Sequence, residues 1–385
     1  MQKFTQAFMV SIVFFVTAHC QPFMAYTSPG RGIHVYFYKN VEFMGFVFFA
    51  GTMGAECDQD ETATMPGGIK KKDWFAYDLS LYRQYKSFKD NPDLGIAAQF
   101  AAVTEGSTLL KLMIRLNEFP HAVLDDKMPA EYFIGFSEKG DSAAARTNAV
   151  AFINALNRLY KAINFDTYFN QSNSIYRHAL QQITGKLPAN RFIPAIEKFY
   201  RRQFSQYILL PSLTIPGGMA FGISYTIQGK TSIFNAFGPY AIQQFTAGSP
   251  LNMGFANEDH IRELSTHEFG HSFANPILYK FLGTLFRETS PLFDTIKTAM
   301  ENQGYNTWKS CVIEHFVRAG EIIIARNLGY DKSAEKLQAH YIKDRRFIYL
   351  PVIIKELELY NKNPALSYGQ AAMNAMEKLK QAAGK

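Results

Sequence analysis

The chain is short of cysteine and tryptophan, with three and two among 385 residues. Cys20 closes an export-like segment, so only Cys57 and Cys311 are left to pair. A disulfide-dense scaffold is excluded, and at most one bridge is allowed. Cys311 sits in a helical stretch and reads as a buried free thiol, and no cysteine cluster offers a metal site of its own. Long apolar runs are also missing: Phe8 to Val16 is too short to span a bilayer as a stable anchor. The formal charge is +7, but the basic residues are dispersed, with the densest runs at Lys70–Lys72 and Arg345-Arg346. No basic helix interleaved with stacking aromatics occurs, so nucleic acid is not an expected partner. There is no internal repeat and no low-complexity tract.

What the chain does have is an aromatic share of 15%, which suits a well-packed globular protein. Residues 1–20 read as an export signal, with Lys3 before the apolar run and Val16-Thr17-Ala18 as a small-residue cleavage site. A second reading takes Thr17 to Cys20 as a degenerate lipobox with Cys20 lipidated. His19 is awkward there, and simple cleavage is preferred. On either reading the mature protein is expected outside the cytoplasm, periplasmic, secreted or surface-held, and a lipid at Cys20 is its one expected membrane contact.

Two subdomains are expected. Residues 21–203 hold two β-rich runs, Ile33 to Phe37 and Phe43 to Phe49, and then a mostly helical layer. Residues 204–385 open with three strand-like runs, Tyr207 to Ile215, Met219 to Ile227 and Thr231 to Phe237, read as an antiparallel meander. The fold class is α+β and zincin-like: a small antiparallel sheet beside a metal helix, a helical C-terminal part, and an additional largely helical N-terminal region. The Thr231 to Phe237 strand is expected to be the edge that takes extended substrate, with Asn235 to Pro239 as its rim.

The metal helix carries His267-Glu268-Phe269-Gly270-His271, an H-E-x-x-H pattern. Histidines four apart share one helical face, so both imidazoles can reach one Zn²⁺, with Glu268 beside it as general base for an attacking water. The uncharged neighbours Leu264, Ser265, Thr266, Phe269, Ser272 and Phe273 suit a helix packed in an interior. Asn257 caps it, Glu258 and Asp259 form an acidic first turn, and Pro276 ends or kinks it.

Catalytic zinc usually takes three protein ligands. A continuation to a third histidine would require Gly at 274 and His at 277, where the chain has Ala274 and Ile277. Glu314, an isolated carboxylate in the apolar run Val312 to Ala319, is the expected third ligand, ahead of His315, Glu321 and His340. Arg318, one turn on, either orients Glu314 or pairs with Glu321. Among Tyr349, Tyr341 and His340, Tyr349 is the choice for stabilising the oxyanion. Asn275 would hold either His271 or the loop after it, and His260 reads as a surface or capping residue.

His267 to Pro276, together with the E-H-x-V-R-A of Glu314 to Ala319, the N-V-E-F of Asn40 to Phe43 and the late Arg346 to Tyr349, resembles an uncharacterised family of exported bacterial proteins of gluzincin metallopeptidase type. That resemblance implies His267, His271 and Glu314 as ligands and Glu268 as base. The expected activity is hydrolysis of peptide or protein substrates with Zn²⁺. Two alternatives stand beside it: an inactive surface protein on the same fold that binds a partner, and a zinc hydrolase of non-peptide amides or esters.

Overall fold

A computed structural model of the chain describes residues 20–28, 32–65, 68–246 and 248–383. The expected export segment lies outside these, apart from Cys20. The strands are β1 (Met24–Tyr26), β2 (Ile33–Phe37), β3 (Gln206–Pro211), β4 (Ala220–Ile227) and β5 (Lys230–Phe237). The helices of nine residues or more are α1 (Lys39–Thr52), α2 (Ala76–Gln84), α3 (Pro92–Val103), α4 (Gly106–Arg115), α5 (Ser142–Ala162), α6 (Asp166–Thr184) and α7 (Phe192–Tyr200) in the first part. Past the sheet come α8 (Glu258–Phe281), α9 (Trp308–Asn327), α10 (Asp331–Lys343), α11 (Leu350–Lys362) and α12 (Tyr368–Ala383). No helix among the described residues is long and apolar enough to cross a membrane. Cys20, Cys57 and Cys311 are buried free thiols.

The α+β class holds, but the sheet is mixed rather than an antiparallel meander. Its order is β1-β2-β3-β5-β4. β2 runs parallel to β3 and β3 parallel to β5, while β1 and β4 are antiparallel to their neighbours. Chain order suggested nearest-neighbour pairing, whereas burial sets the actual one. β5 is buried from Ser232 to Phe237 and takes the interior, whereas β4, with Gly222, Ser224 and Thr226, is mostly half-buried and takes the rim. Thr231 to Phe237, expected to be an edge open to substrate, is therefore not an edge, and the strand at that end of the sheet is β4. Asn235 is no rim residue either: it is fully buried, and its amide donates to Ser265 Oγ at 3.1 Å, tying β5 to α8.

Phe43 to Phe49 is not a strand but the middle of α1. An apolar run of this length has no period to separate a strand from a helix buried on nearly all sides, and α1 is the latter. Gly45 lets it press against the carbonyl of Thr214, where a Cβ would come within 2.5 Å. Beside it Glu42, fully buried, accepts from Tyr176 Oη at 2.8 Å and from the Leu213 N–H at 3.0 Å, clamping α1 to the loop between β3 and β4. One apolar core runs from β1 and β2 through the helical layer to α12.

Candidate functional site

α8 begins where expected, with the Asn257 side chain accepting from the His260 N–H at 3.0 Å. Of the two expectations for Pro276, an end to the helix is not met: Pro276 lies inside α8, which continues to Phe281. α9 begins with a capping box in which Thr307 Oγ1 accepts from the Ser310 N–H and Ser310 Oγ from the Thr307 N–H. The two helices cross closely because glycine stands on each at the crossing. A Cβ at Gly270 would lie 3.1 Å from Tyr200 Oη, and one at Gly320 only 2.7 Å from it. Tyr200, at the end of α7, is buried there with its ring stacked on Phe273 at 4.7 Å, and its hydroxyl has no hydrogen-bond partner among the described residues.

That crossing brings the expected ligands together. His267 Nε2 lies 3.2 Å from His271 Nε2, Glu314 Oε1 lies 3.2 Å from His271 Nε2, and Glu314 Oε2 lies 3.5 Å from His267 Nε2. Three donors each about 2.0–2.2 Å from one tetrahedral ion would stand about 3.3–3.6 Å apart. The triangle fits a divalent metal with nitrogen and oxygen ligands. Glu268 stands beside it: a carboxylate oxygen of Glu268 and the two imidazole nitrogens lie within 4.8 Å of one another. Glu314 approaches the imidazoles more closely than that, so it completes the donor set and leaves Glu268 adjacent.

The supporting shell is specific. Glu314, Arg318 and Glu321 fall at i, i+4 and i+7, hence on one face of α9. Glu321 accepts from His267 Nδ1, which fixes the tautomer that turns Nε2 toward the cluster. Its other oxygen accepts from Tyr341 Oη at 2.5 Å. Glu321 thus engages the far nitrogen of His267 rather than joining the donors that converge at Nε2. Asn275 Oδ1 plays the weaker equivalent part for His271 Nδ1, at 3.3 Å. Arg318 donates to Glu314 Oε2 at 3.1 Å and lies over the rings of Tyr341 and Phe347.

Electrostatics follow from this packing. Burial works to raise the Glu314 carboxyl, but His267, His271 and Arg318 overcome it and hold the group well below the usual carboxylate range. Burial opposes charge on His271, yet Glu314 beside it carries the imidazole up to about 9 without a metal. Glu268 is raised, chiefly by burial and against the pull of the two histidines. A carboxylate shifted in that direction is better matched to accepting a proton near neutral pH.

The cleft passes over the cluster in two halves. One, of about 640 Å³, is lined by β4 at Ala220, Phe221, Gly222 and Ser224, by Glu268 and His271, and by the start of α9. The other, of about 550 Å³, runs past Tyr305, Arg318 and Tyr341 toward α10. β4 lies directly on the metal helix, since a Cβ at Gly222 would meet the Glu268 carbonyl at 2.2 Å. Gln228 and Gly229, both at positive φ, form the tight turn to β5, and Ile227 pairs with Lys230. Alternation from that pair turns the main-chain groups of Ala220, Gly222 and Ser224 away from β5, along the cleft. A separate apolar cavity of about 270 Å³ lies behind Phe221, against α1 and α4, away from the cluster.

Tyr349 is not brought to the site. It lies on the His315 side of α9, with its ring 5.7 Å from that of His315, and its hydroxyl donates to the Leu292 carbonyl at 2.7 Å. His315 is turned about 100° from Glu314 and buried, with Nδ1 on the Cys311 carbonyl at 2.8 Å. His340 pairs with Asp344 at the outer end of the cleft, and His260 packs on Tyr240. The hydroxyl that does reach the cluster is Tyr305, which donates to Glu314 Oε2 at 3.2 Å and accepts from Arg318 at 3.1 Å. It sits in the loop before α9, where no periodicity could mark it.

No curated protein and no solved structure matches the chain. Residues 135–367 match a family model that takes in α8, α9 and all of His267, Glu268, His271 and Glu314; the chain belongs to the family of the domain of unknown function DUF4932.

Proposed function

We propose that the protein is a zinc-dependent hydrolase of peptide bonds, working outside the cytoplasm. The observation that carries this reading is the triangle of His267, His271 and Glu314 donors, with edges of 3.2–3.5 Å, beside a buried carboxylate that is not needed to complete it. When bound, zinc would supply Lewis acidity, bringing a water from a pKa of about 15.7 to about 7. Glu268 accepts the proton of the attacking water and passes it to the leaving nitrogen. Tyr305 Oη, held by Arg318, would turn its one proton from Glu314 to the carbonyl oxygen as charge develops on it. An extended peptide pairs with the outward groups of β4, which favours a polypeptide over a compact ester. The export part of the reading rests on the pattern of Met1 to Cys20 alone.

The test is metal analysis together with cleavage of a proteome-derived peptide library by the zinc-loaded protein and its Glu268→Gln variant. The wild type should carry one zinc and cleave peptides; the variant should keep the metal and lose about 10²–10⁴-fold in rate. A zinc-loaded wild type that cleaves nothing, or a variant that turns over normally, refutes the proposal.

A further inference from the structure

The half of the cleft facing α10 is crowded with charge, and nearly all of that charge is already engaged. Glu314 belongs to the metal donors and Arg318, and Glu321 to His267 and Tyr341. Glu263 accepts from Ser333 Oγ at 2.7 Å and lies 3.4 Å from Arg262, while His340 pairs with Asp344. Arg345 is different. It lines this half together with Glu268, His271 and Glu314, and among the described residues no carboxylate lies within ion-pair distance of it. Its Nε donates to Gln303 Oε1 at 2.7 Å, and its two terminal nitrogens make no hydrogen bond among the described residues.

The backbone is built to hold it there. Gln303 Nε2 donates back to the Arg345 carbonyl at 3.0 Å and to the Ala299 carbonyl at 2.7 Å, so one side chain fixes both ends of Arg345. The next residue, Arg346, has φ of +61°, a left-handed conformation that a side chain other than glycine's adopts at a cost of about 1–2 kcal/mol. It is kept there by hydrogen bonds from Arg345 N to the His340 carbonyl and from Phe347 N to the Tyr341 carbonyl, and by Phe347, which is wholly buried. The left-handed Arg346 ends the chain's run out of α10 and so fixes where the Arg345 side chain leaves the backbone.

We propose that Arg345 is a specificity-determining residue, which receives a substrate carboxylate on its two terminal nitrogens. This rests on the reading of the cleft as a peptide site. A guanidinium anchored at Nε presents a planar fork that matches a carboxylate with two parallel hydrogen bonds, whereas a neutral carbonyl would leave the charge uncompensated. The carboxylate is either an acidic side chain or the C-terminal group of the peptide. Both place the same charge in the half of the cleft beyond Tyr305.

The experiment measures binding rather than turnover, so that it does not depend on cleavage. Zinc-loaded full-length Glu268→Gln protein is titrated with short peptides in matched pairs, Glu against Gln at each position and free C-terminal acid against amide. One carboxylate member should bind about 10–100-fold more tightly than its neutral partner, and which swap abolishes this identifies the source. Arg345→Gln added to that protein should bring the ratio to within about threefold, and Arg345→Lys, which keeps the charge without the fork, should retain part of it. Equal loss for both members of a pair, no discrimination before the substitution, or no binding of any carboxylate peptide overturns the proposal. Should the wild type cleave nothing while the discrimination persists, the peptidase reading falls and the role of Arg345 stands.

Discussion

At the crossing of α8 and α9, a methyl group added at Gly320 would lie 2.7 Å from Tyr200 Oη, but 3.4 Å from Phe199 Cε1 and 3.6 Å from Tyr200 Cζ. The hydroxyl alone is therefore the obstacle, and it cannot swing away because the ring is stacked on Phe273. Overpacking of this kind costs about 1–3 kcal/mol, against about 1 kcal/mol recovered from replacing a mid-helix glycine by alanine. Gly320→Ala should thus destabilise the protein by up to about 2 kcal/mol and weaken zinc binding, because Glu314 lies on the helix that is pushed away. Tyr200→Phe removes a buried hydroxyl without a partner and should stabilise by about 1 kcal/mol. In that background Gly320→Ala meets only ordinary contacts and should itself stabilise by about 1 kcal/mol, so its sign reverses. Urea unfolding of the four proteins measures the cycle, and zinc competition on the same samples reads the displacement of Glu314. If the two substitutions add within about 0.5 kcal/mol, the hydroxyl is not what sets the helix separation.

Glu321→Gln should lower zinc affinity about 10–100-fold with all three donors intact, since it weakens the group that orients His267; unchanged affinity in chelator competition would remove it from that role. Burial pushes the Glu42 carboxyl from 4.5 up to about 7, so on raising the pH the unfolded chain loses this proton first and stability should fall between those values. The fall from Glu42 is on the order of 3 kcal/mol, with Asp78, also raised by burial, acting in the same direction. Urea midpoints across this range should decline for the wild type and less steeply for Glu42→Gln, the remainder coming from Asp78; equal slopes for the two proteins would contradict the assignment.

α8 and its paired histidines were legible because their signal is local: two histidines at helical spacing, an Asn cap and uncharged flanks all refer to one element. Glu314 could be found from a different local contradiction, a carboxylate in an apolar helix. What failed depends on partners distant in sequence. β5 is interior because β3 lies beside it, and no residue near Thr231 announces that. Phe43 to Phe49 is apolar at every position, so neither period shows. Tyr349 and Tyr305 are both tyrosines next to a helix start, and only the turn of α9 decides which one faces the cluster. Glu321 was weighed as a donor on charge alone, and its spacing of seven from Glu314 carried the better information: the same face, two turns on, where it reaches the far nitrogen of His267.

The Glu42 clamp and the strand order set a limit on how the molecule can be cut. Residues 135–367 contain His267, Glu268, His271 and Glu314, yet a fragment with those ends would lack β1, β2 and α1. β3 would lose Ile33 to Val35 of β2, which pair with its Tyr207 to Leu209, and the buried Ile208, Leu209 and Leu210 would then lie on a bare parallel edge, an invitation to intermolecular strand pairing. The Leu213 and Thr214 loop that leads to β4 would lose its acceptor as well. The wall of the cleft is thus held from a part of the chain that contributes no ligand to it, and the region recognisable as a family unit is smaller than the unit that folds.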